Sequence, residues 1–210
     1  MPSPHDDLPQ LRAQIAALAA RMVAQDGADY ATAKRKAARQ VLGEDTTGAN
    51  LMPDNTEVEH EVRQYQALFH ADTQPARLLA LRTTALQIMA ALANFKPYLT
   101  GAVLNGTAGE HDIIHLQLFA ESAKDVVMFL LDKEVLFELA ETPHFKGGRH
   151  DPVETVSFTW RNESVFAELY EMNDLRGALK ARPDGRPQRV DSATLQAMLD
   201  TPPPPPGLIE

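Results

Sequence analysis

The chain has 210 residues, an apolar share of 44% and a formal net charge of −9. That apolar share allows a sizeable core, in one domain or in a helical region followed by a smaller α/β domain. The negative charge disfavours a broad nucleic-acid surface, which needs dense basic residues, although it allows a local basic pocket. Cysteine is absent, which excludes disulfides, thiolate zinc sites and cysteine nucleophiles.

The first ten residues, MPSPHDDLPQ, have neither the basic start nor the apolar segment of a signal peptide. No uninterrupted apolar run approaches the length of about 20 residues that a membrane span needs. We therefore expect a cytoplasmic protein that does not interact with membranes.

Residues 1–97 predict a helical N-terminal region. Apolar residues recur at steps of three or four in four segments, and Gly27 and Gly43 follow the first two. The fourth segment, from Pro75 to Phe95, is the longest. The second helix carries the densest basic cluster of the chain, formed by Lys34, Arg35, Lys36 and Arg39. A solvated helix face is the favoured interpretation of this cluster, with phosphate contact as the alternative.

Residues 98–180 predict an α+β core. The expected elements are a strand at 99–104, a turn at 105–107, a strand from about 114, a helix at 122–133, and strands at 135–139, 153–160 and 164–170. Residues 173–180 predict a short helix. Residues 181–210 predict a loop, a capped short helix at 191–200 and an extended proline run at 202–206. The expected fold class is therefore α+β, with helices followed by a small mixed sheet and its flanking helices.

One central stretch, YLTGAVLNGTAGEHDIIHLQLF at 98–119, carries the functional signal. An apolar run stops at Gly106-Thr107, and the acidic Asp112 then enters a second, alternating run. Glycine lets backbone N–H groups approach phosphates closely, and a hydroxyl adds a donor. Carboxylates on alternate strand positions share one face and can hold metal ions together.

This pattern resembles the nucleotidyltransferase fold of the DNA polymerase β superfamily. That superfamily places Gly-Ser or Gly-Thr after its first strand, two carboxylates one residue apart on the second strand, and a third carboxylate on a later strand. The resemblance implies that Gly106 and Thr107 hold phosphates and that Asp112 helps to hold Mg²⁺. Two such ions clamp the attacking and leaving oxygens in nucleotidyl transfer.

The sequence departs from the superfamily pattern after Thr107. The loop before the acid is short, and Ile114, not a second acid, lies two residues after Asp112. If the strand sets the register instead, Ile113 and His115 occupy the two acidic positions. His115 can ligate a metal, although Mg²⁺ prefers oxygen, and a histidine lying on a sheet face is the simpler interpretation.

The third acid is expected on a strand beside the second one. Glu168 is the first candidate because it lies between the apolar residues Ala167 and Leu169, and Glu154 is the alternative. A surface carboxylate is the simpler interpretation of both.

Other histidines predict no metal site. His60 and His70 are ten residues apart, not the four that helical metal sites use. His144 and His150 lie with Arg149 and Asp151 in a loop that is more simply solvated than functional.

The sequence therefore predicts a protein similar to nucleotidyltransferases. The resemblance implies transfer of a nucleotidyl group from an NTP to a hydroxyl of a small molecule, a protein or an RNA end. Asp112, His115 and Glu168 are the candidate catalytic residues, and Mg²⁺ is the expected cofactor. The alternative is a degenerate member of the fold that acts as a binding or regulatory module.

Overall fold

The structure is a computed structural model that describes residues 7–43, 51–176 and 182–201. In these ranges the chain is α+β, with seven α-helices and one five-stranded mixed sheet. The expected proline run and the end of the expected helix at 173–180 lie outside the described residues; that helix begins as a 3-10 helix at Met172–Leu175. Contacts divide the chain into a helical unit, Met1–Arg77 with Gly106–Asp112, and a sheet unit, Leu78–Asn105 with Ile113–Glu210.

The helical unit is built on three helices: α1 at Asp7–Asp26, α2 at Tyr30–Leu42 and α3 at Asn55–Phe69. The helix α4 at Gln74–Ala91 begins in the same unit. The core of the helical unit consists of small and branched apolar residues. Among those that are fully buried are Ile15, Ala19, Ala33, Val58 and Val62. Alanine at these positions allows the helices to approach closely.

The ends of these helices follow from local chemistry. Gly27 and Gly43 adopt positive φ angles of 63° and 78° after α1 and α2, as predicted. Asp54 and Glu57 form a capping box at the start of α3. Glu57 also accepts two hydrogen bonds from Arg12, at 2.7 and 2.5 Å, and this pair holds the pKa of Glu57 below its ordinary value.

The sheet has five strands: β1 at Tyr98–Thr100, β2 at Ile114–Ala120, β3 at Phe137–Thr142, β4 at Val153–Trp160 and β5 at Glu163–Glu171. Their order in the sheet is β1-β2-β5-β4-β3. The pair β2–β5 is parallel, and the other neighbouring pairs are antiparallel. A two-residue turn joins β4 to β5, and its residues Arg161 and Asn162 both have positive φ, the requirement of a type I′ hairpin.

Alternation along the strands gives the sheet two different faces. Ile114, Leu116 and Leu118 of β2 are fully buried and share one face with Val165, Ala167 and Leu169 of β5. The opposite face, called the polar face below, carries polar and aromatic residues of the same strands: His115, Gln117, Phe119, Phe166, Glu168 and Tyr170. Because successive side chains of a strand point to opposite sides of the sheet, the buried apolar residues and the residues of the polar face are kept apart.

Short helices and one backbone bridge complete the sheet unit. The helix α6 at Ala123–Asp132 starts after its cap Ser122, and α7 at Ser192–Asp200 starts after its cap Asp191. Before α7, Val190 exchanges two backbone hydrogen bonds with Leu99, at 2.9 and 3.1 Å. This bridge covers the free edge of β1, which would otherwise expose unpaired backbone groups.

The expected strand at 99–104 is wrong beyond Thr100. Gly101 has a positive φ of 71°, and the chain leaves the strand there to form the one-turn helix α5 at Gly101–Asn105. Arg82 of α4 donates to the carbonyl oxygens of Val103 and Leu104 at 3.0 Å each. A short apolar run does not distinguish strand from helix, and the partner that stabilises the helical form lies on a distant segment.

Within the described ranges, no helix combines the length and the apolarity that crossing a membrane requires.

The arginine contacts make α5 a testable feature. Substituting Arg82 with methionine leaves two helix-end carbonyls without their donor, so we expect a loss of about 2 kcal/mol in the free energy of unfolding. Urea denaturation followed by circular dichroism measures this loss. The same substitution at the exposed Arg176 is the control, with an expected change within about 0.5 kcal/mol. Equal effects of the two substitutions would contradict a stabilising role for the Arg82 contacts.

Candidate functional site

The segment Gly106–Asp112, called the glycine loop below, is held in the helical unit through its backbone. The Nε2 group of Gln74 donates to the carbonyl oxygens of Gly106 and Ala108, at 3.1 and 3.0 Å. The Nε2 group of the buried Gln66 donates to the carbonyl oxygen between them, that of Thr107, at 2.6 Å. Three successive carbonyl groups of the loop are thus bound by two glutamine side chains.

This arrangement also orients the N–H groups of the loop. A trans peptide is planar, so each N–H points opposite to the carbonyl group of the same peptide. The N–H groups of Thr107 and Gly109 therefore point away from Gln74, which binds the carbonyl groups of the same two peptides. The N–H of Ala108 points away from Gln66 for the same reason. The N–H of Gly109 donates to Oδ2 of Asp112 at 2.8 Å. The loop thus presents one N–H group, that of Gly109, to a carboxylate, which is the orientation that an anion needs.

Thr107, the candidate phosphate-binding hydroxyl, is only 2% exposed. Its Oγ1 makes no hydrogen bond within the described residues, although the side chain is close enough to the phenol of Tyr30 to lower the pKa of that group. Burial raises the pKa of Tyr30 to about 12, against the opposing effect of the Thr107 contact. The hydroxyl of Thr107 therefore belongs to the interior of the helical unit.

A polar cavity of about 620 Å³ lies in the helical unit and is lined by Gly109, Glu110 and His111 of the glycine loop. Its other lining residues include Asp26, His70 and Arg77. The Nη2 group of Arg77 lies 3.5 Å from the carbonyl oxygen of Glu110. The cavity thus combines a guanidinium and two imidazoles with two carboxylates.

Gly27 allows the glycine loop to approach α1. A Cβ atom at this position would lie 3.0 Å from Cβ of His111, and its φ of 63° also favours glycine.

In the sheet unit, two of the predicted residues share the polar face. His115 of β2 pairs with Phe166 of β5, and the ring centroids of the two side chains are 5.3 Å apart. Glu168 pairs with Gln117, whose Nε2 group donates to Oε2 of Glu168 at 3.1 Å. The alternative acid, Glu154, pairs with Glu141; its neighbour Thr155 pairs with Glu168, so Glu154 lies on the opposite face.

The polar face also carries a cation, Arg189, that the sequence did not predict. The Nη1 group of Arg189 donates to Oε1 of Gln117 at 3.2 Å. The guanidinium carbon lies 4.7, 5.1 and 5.6 Å from the ring centroids of Phe119, Tyr98 and Phe145. Burial lowers the pKa of Arg189 from its ordinary value. The Gln117 amide therefore links the guanidinium of Arg189, which lies against these three rings, to the carboxylate of Glu168.

The alternation of β2 could have revealed Gln117, because it is the next residue on the face of His115. Arg189 gave no such signal. The backbone bridge between Val190 and Leu99 brings it to the sheet.

The histidine-containing loop before β4 contains a buried hydrogen-bonded group. Nδ1 of His144 accepts the N–H of Lys146 at 3.0 Å, and Nε2 lies 3.3 Å from Oδ1 of Asp174. Burial raises the pKa of Asp174, but the bonds from Lys146 and His144 outweigh it and leave the pKa below its ordinary value. Both ring nitrogens of His144 are thus engaged, which suits a structural role better than proton transfer.

Among the described residues, no group of three or more histidine, aspartate or glutamate side chains is arranged to hold a metal ion. The described residues therefore do not form a site in which the protein itself supplies three or more side-chain ligands to Mg²⁺. One carboxylate, such as that of Asp112, does fit an ion whose other ligands are water and substrate phosphates, the usual environment of Mg²⁺.

The predicted site residues fall into two sets. Gly106, Thr107 and Asp112 belong to the helical unit, and His115 and Glu168 belong to the sheet unit. Hydrogen bonds join Asp112 to the glycine loop in the first set, and Gln117 joins Glu168 to Arg189 in the second.

Comparison with protein-family models and with curated proteins found no match to this chain.

The buried amide of Gln66 provides a test of the glycine-loop geometry. Substituting Gln66 with leucine leaves the Thr107 carbonyl without its donor, at an expected cost of about 2 kcal/mol. Hydrogen–deuterium exchange should then show faster exchange of the N–H groups of the loop. Substituting the exposed Gln64 of the same helix with leucine is the control and should leave this exchange unchanged. Unchanged exchange in the Gln66 variant would contradict the anchoring role of this amide.

The raised pKa of Tyr30 predicts a pH dependence. The folded protein favours the neutral phenol, so this contribution to stability is complete below pH 10 and is lost as the pH rises through about 12. Stability measured by urea denaturation should fall between these values in the native protein. The fall should be smaller in the Tyr30→Phe variant, and an identical fall would contradict the assignment.

Proposed function

We propose that this protein is a nucleotidyltransferase-like protein that binds a nucleoside triphosphate without transferring its nucleotidyl group. One observation carries the proposal: Gly109, Glu110 and His111, which follow the predicted phosphate-binding residues Gly106 and Thr107 in the glycine loop, line a cavity together with Arg77. The ligand is placed in this cavity of the helical unit.

The chemistry of the cavity supports a phosphorylated ligand. A guanidinium group can form two parallel hydrogen bonds with phosphate, and the imidazoles of His70 and His111 add donors. The carboxylates of Asp26 and Glu110 are suitable acceptors for ribose hydroxyl groups. A volume of about 620 Å³ lies within the range of small-molecule sites.

The polar face of the sheet supports binding without transfer. Two-metal transfer needs carboxylates that share metal ions, and the same-face positions of β2 hold His115 and Gln117. The amide of Gln117 is bonded to Glu168 and accepts from Arg189. Catalytic roles for Asp112, His115 and Glu168 in transfer to a hydroxyl acceptor remain the competing prediction.

Isothermal titration with ATP, GTP, CTP and UTP, with and without Mg²⁺, tests the proposal. We expect saturable binding of at least one nucleotide, weakened about tenfold or more by Arg77→Met, because a charge-assisted contact with phosphate is lost. The matched control is Arg39→Met, on the exposed side of α2, with an expected change below about twofold. A larger effect at Arg39 would place the phosphates on the basic cluster of α2 instead.

A variant of Asp112 tests the role of the metal separately from the role of the glycine loop. If its carboxylate holds Mg²⁺ beside the phosphates, Asp112→Asn should weaken binding more in the presence of Mg²⁺ than in its absence. Pyrophosphate release from an NTP with Mg²⁺ and a hydroxyl acceptor would overturn the non-transferring function. Absence of binding by all four nucleotides would overturn the proposal as a whole.

A further inference from the structure

The sheet unit contains a second cavity, of about 420 Å³, which is distinct in chemistry from the polar one. Its walls are apolar and come mainly from three elements: Ile88 and Ala91 of α4, Phe129 and Leu130 of α6, and Phe158 and Trp160 of β4. The volume lies within the range of small-molecule sites, and such sites are usually apolar with a few polar groups.

Two polar groups of the lining residues, the indole N–H of Trp160 and the ammonium group of Lys133, indicate how a ligand would be oriented in this cavity. The indole Nε1 of Trp160 is buried and makes no hydrogen bond within the part of the chain that the structure describes. A buried donor without an acceptor is uncommon and costs free energy, so an acceptor on a ligand would stabilise it. Lys133 is the charged residue among the lining residues, and its exposed ammonium group lies 5.8 Å from the ring centroid of Phe129.

The positions of these groups define the ligand class. Lys133 follows the last residue of α6 and is exposed, so its charge lies at the mouth of the cavity. An ammonium group there favours an anion, while the walls favour an aliphatic or aromatic body. The other nearby cation, Arg161, donates to Oε1 of Gln87 at 2.8 Å and is engaged in joining the β4–β5 turn to α4.

We propose that this cavity binds a small amphipathic carboxylate, such as a medium-chain fatty acid, with its tail between α4, α6 and β4. The carboxylate pairs with Lys133 and can also accept a hydrogen bond from the indole of Trp160. This proposal is independent of the nucleotide proposal, because every lining residue belongs to the sheet unit.

The chain itself supplies the reporter for a test. Trp160 is the single tryptophan of the sequence, so its fluorescence reports directly on this cavity. The full-length protein is titrated with decanoate, 1-decanol and decylamine, each below its micellar concentration. We expect a saturable change in emission with decanoate, weaker binding of 1-decanol and the weakest binding of decylamine. Isothermal titration provides a second measurement of the same affinities.

Two pairs of measurements locate the ligand. Ala91 lines the cavity at an exposed position, and phenylalanine there should obstruct the cavity and weaken decanoate binding about tenfold or more. The matched control is Ala90→Phe, at the neighbouring exposed position, which is not part of the lining. Lys133→Met should weaken decanoate binding about threefold to fivefold, as expected for an exposed ion pair, and should leave 1-decanol binding unchanged.

Several results of these binding measurements would contradict the proposal. Absence of saturable decanoate binding by both methods would overturn it. Equal effects of Ala90→Phe and Ala91→Phe would show binding elsewhere and would also overturn it. Equal affinity for decanoate and 1-decanol, or an unchanged decanoate affinity in Lys133→Met, would overturn the assignment of an anionic ligand.

Discussion

The alternation of β2 is the constraint on which the sheet unit depends. This strand lies between the antiparallel β1 and the parallel β5, so its register is fixed on both sides. Ile114, Leu116 and Leu118 are completely buried on one face. A shift of one residue would exchange the faces and move these three side chains out of the core. The burial of the leucine and isoleucine residues therefore forces His115 and Gln117 onto the polar face.

This forced position determines which chemistry the polar face can support. An amide both donates and accepts, so Gln117 can satisfy Glu168 and Arg189 at the same time. Aromatic rings surround the guanidinium and replace part of the water that burial removes. Glu168 and Arg189 thus already stabilise each other through Gln117. A metal ion at Glu168 would first have to compete with this network, which is why the polar face is a weaker candidate for metal-dependent transfer than the sequence indicated.

Local patterns predicted most of the fold, and long-range contacts explain what they missed. The four N-terminal helices, α6 with its Ser122 cap and the β4–β5 hairpin follow from periodicity, capping and turn chemistry within each segment. The expected strand at 99–104 was wrong because Arg82, which lies 21 and 22 positions before the two carbonyl groups that it binds, stabilises a helical turn there. Arg189 was missed for the same kind of reason, since a backbone bridge at Val190 brings it to the sheet. Of the candidate site, the sequence identified the glycine loop, and it gave no sign of the two glutamines that orient it.

In the proposed function, the geometry of the glycine loop connects nucleotide binding to Asp112 in a specific way. The carbonyl groups of the loop are bound by Gln66 and Gln74, so the loop cannot reverse its peptide planes without losing three hydrogen bonds. The N–H of Gly109 is therefore held in an orientation that suits an anion, and the carboxylate of Asp112 already occupies it. A phosphate group that binds to the same N–H must displace this carboxylate. The displaced carboxylate then lies beside a newly bound polyanion, where repulsion is relieved if Mg²⁺ accompanies the phosphates. In the proposed function, the residue that stabilises the empty loop is thus also the residue that makes phosphate binding depend on the metal.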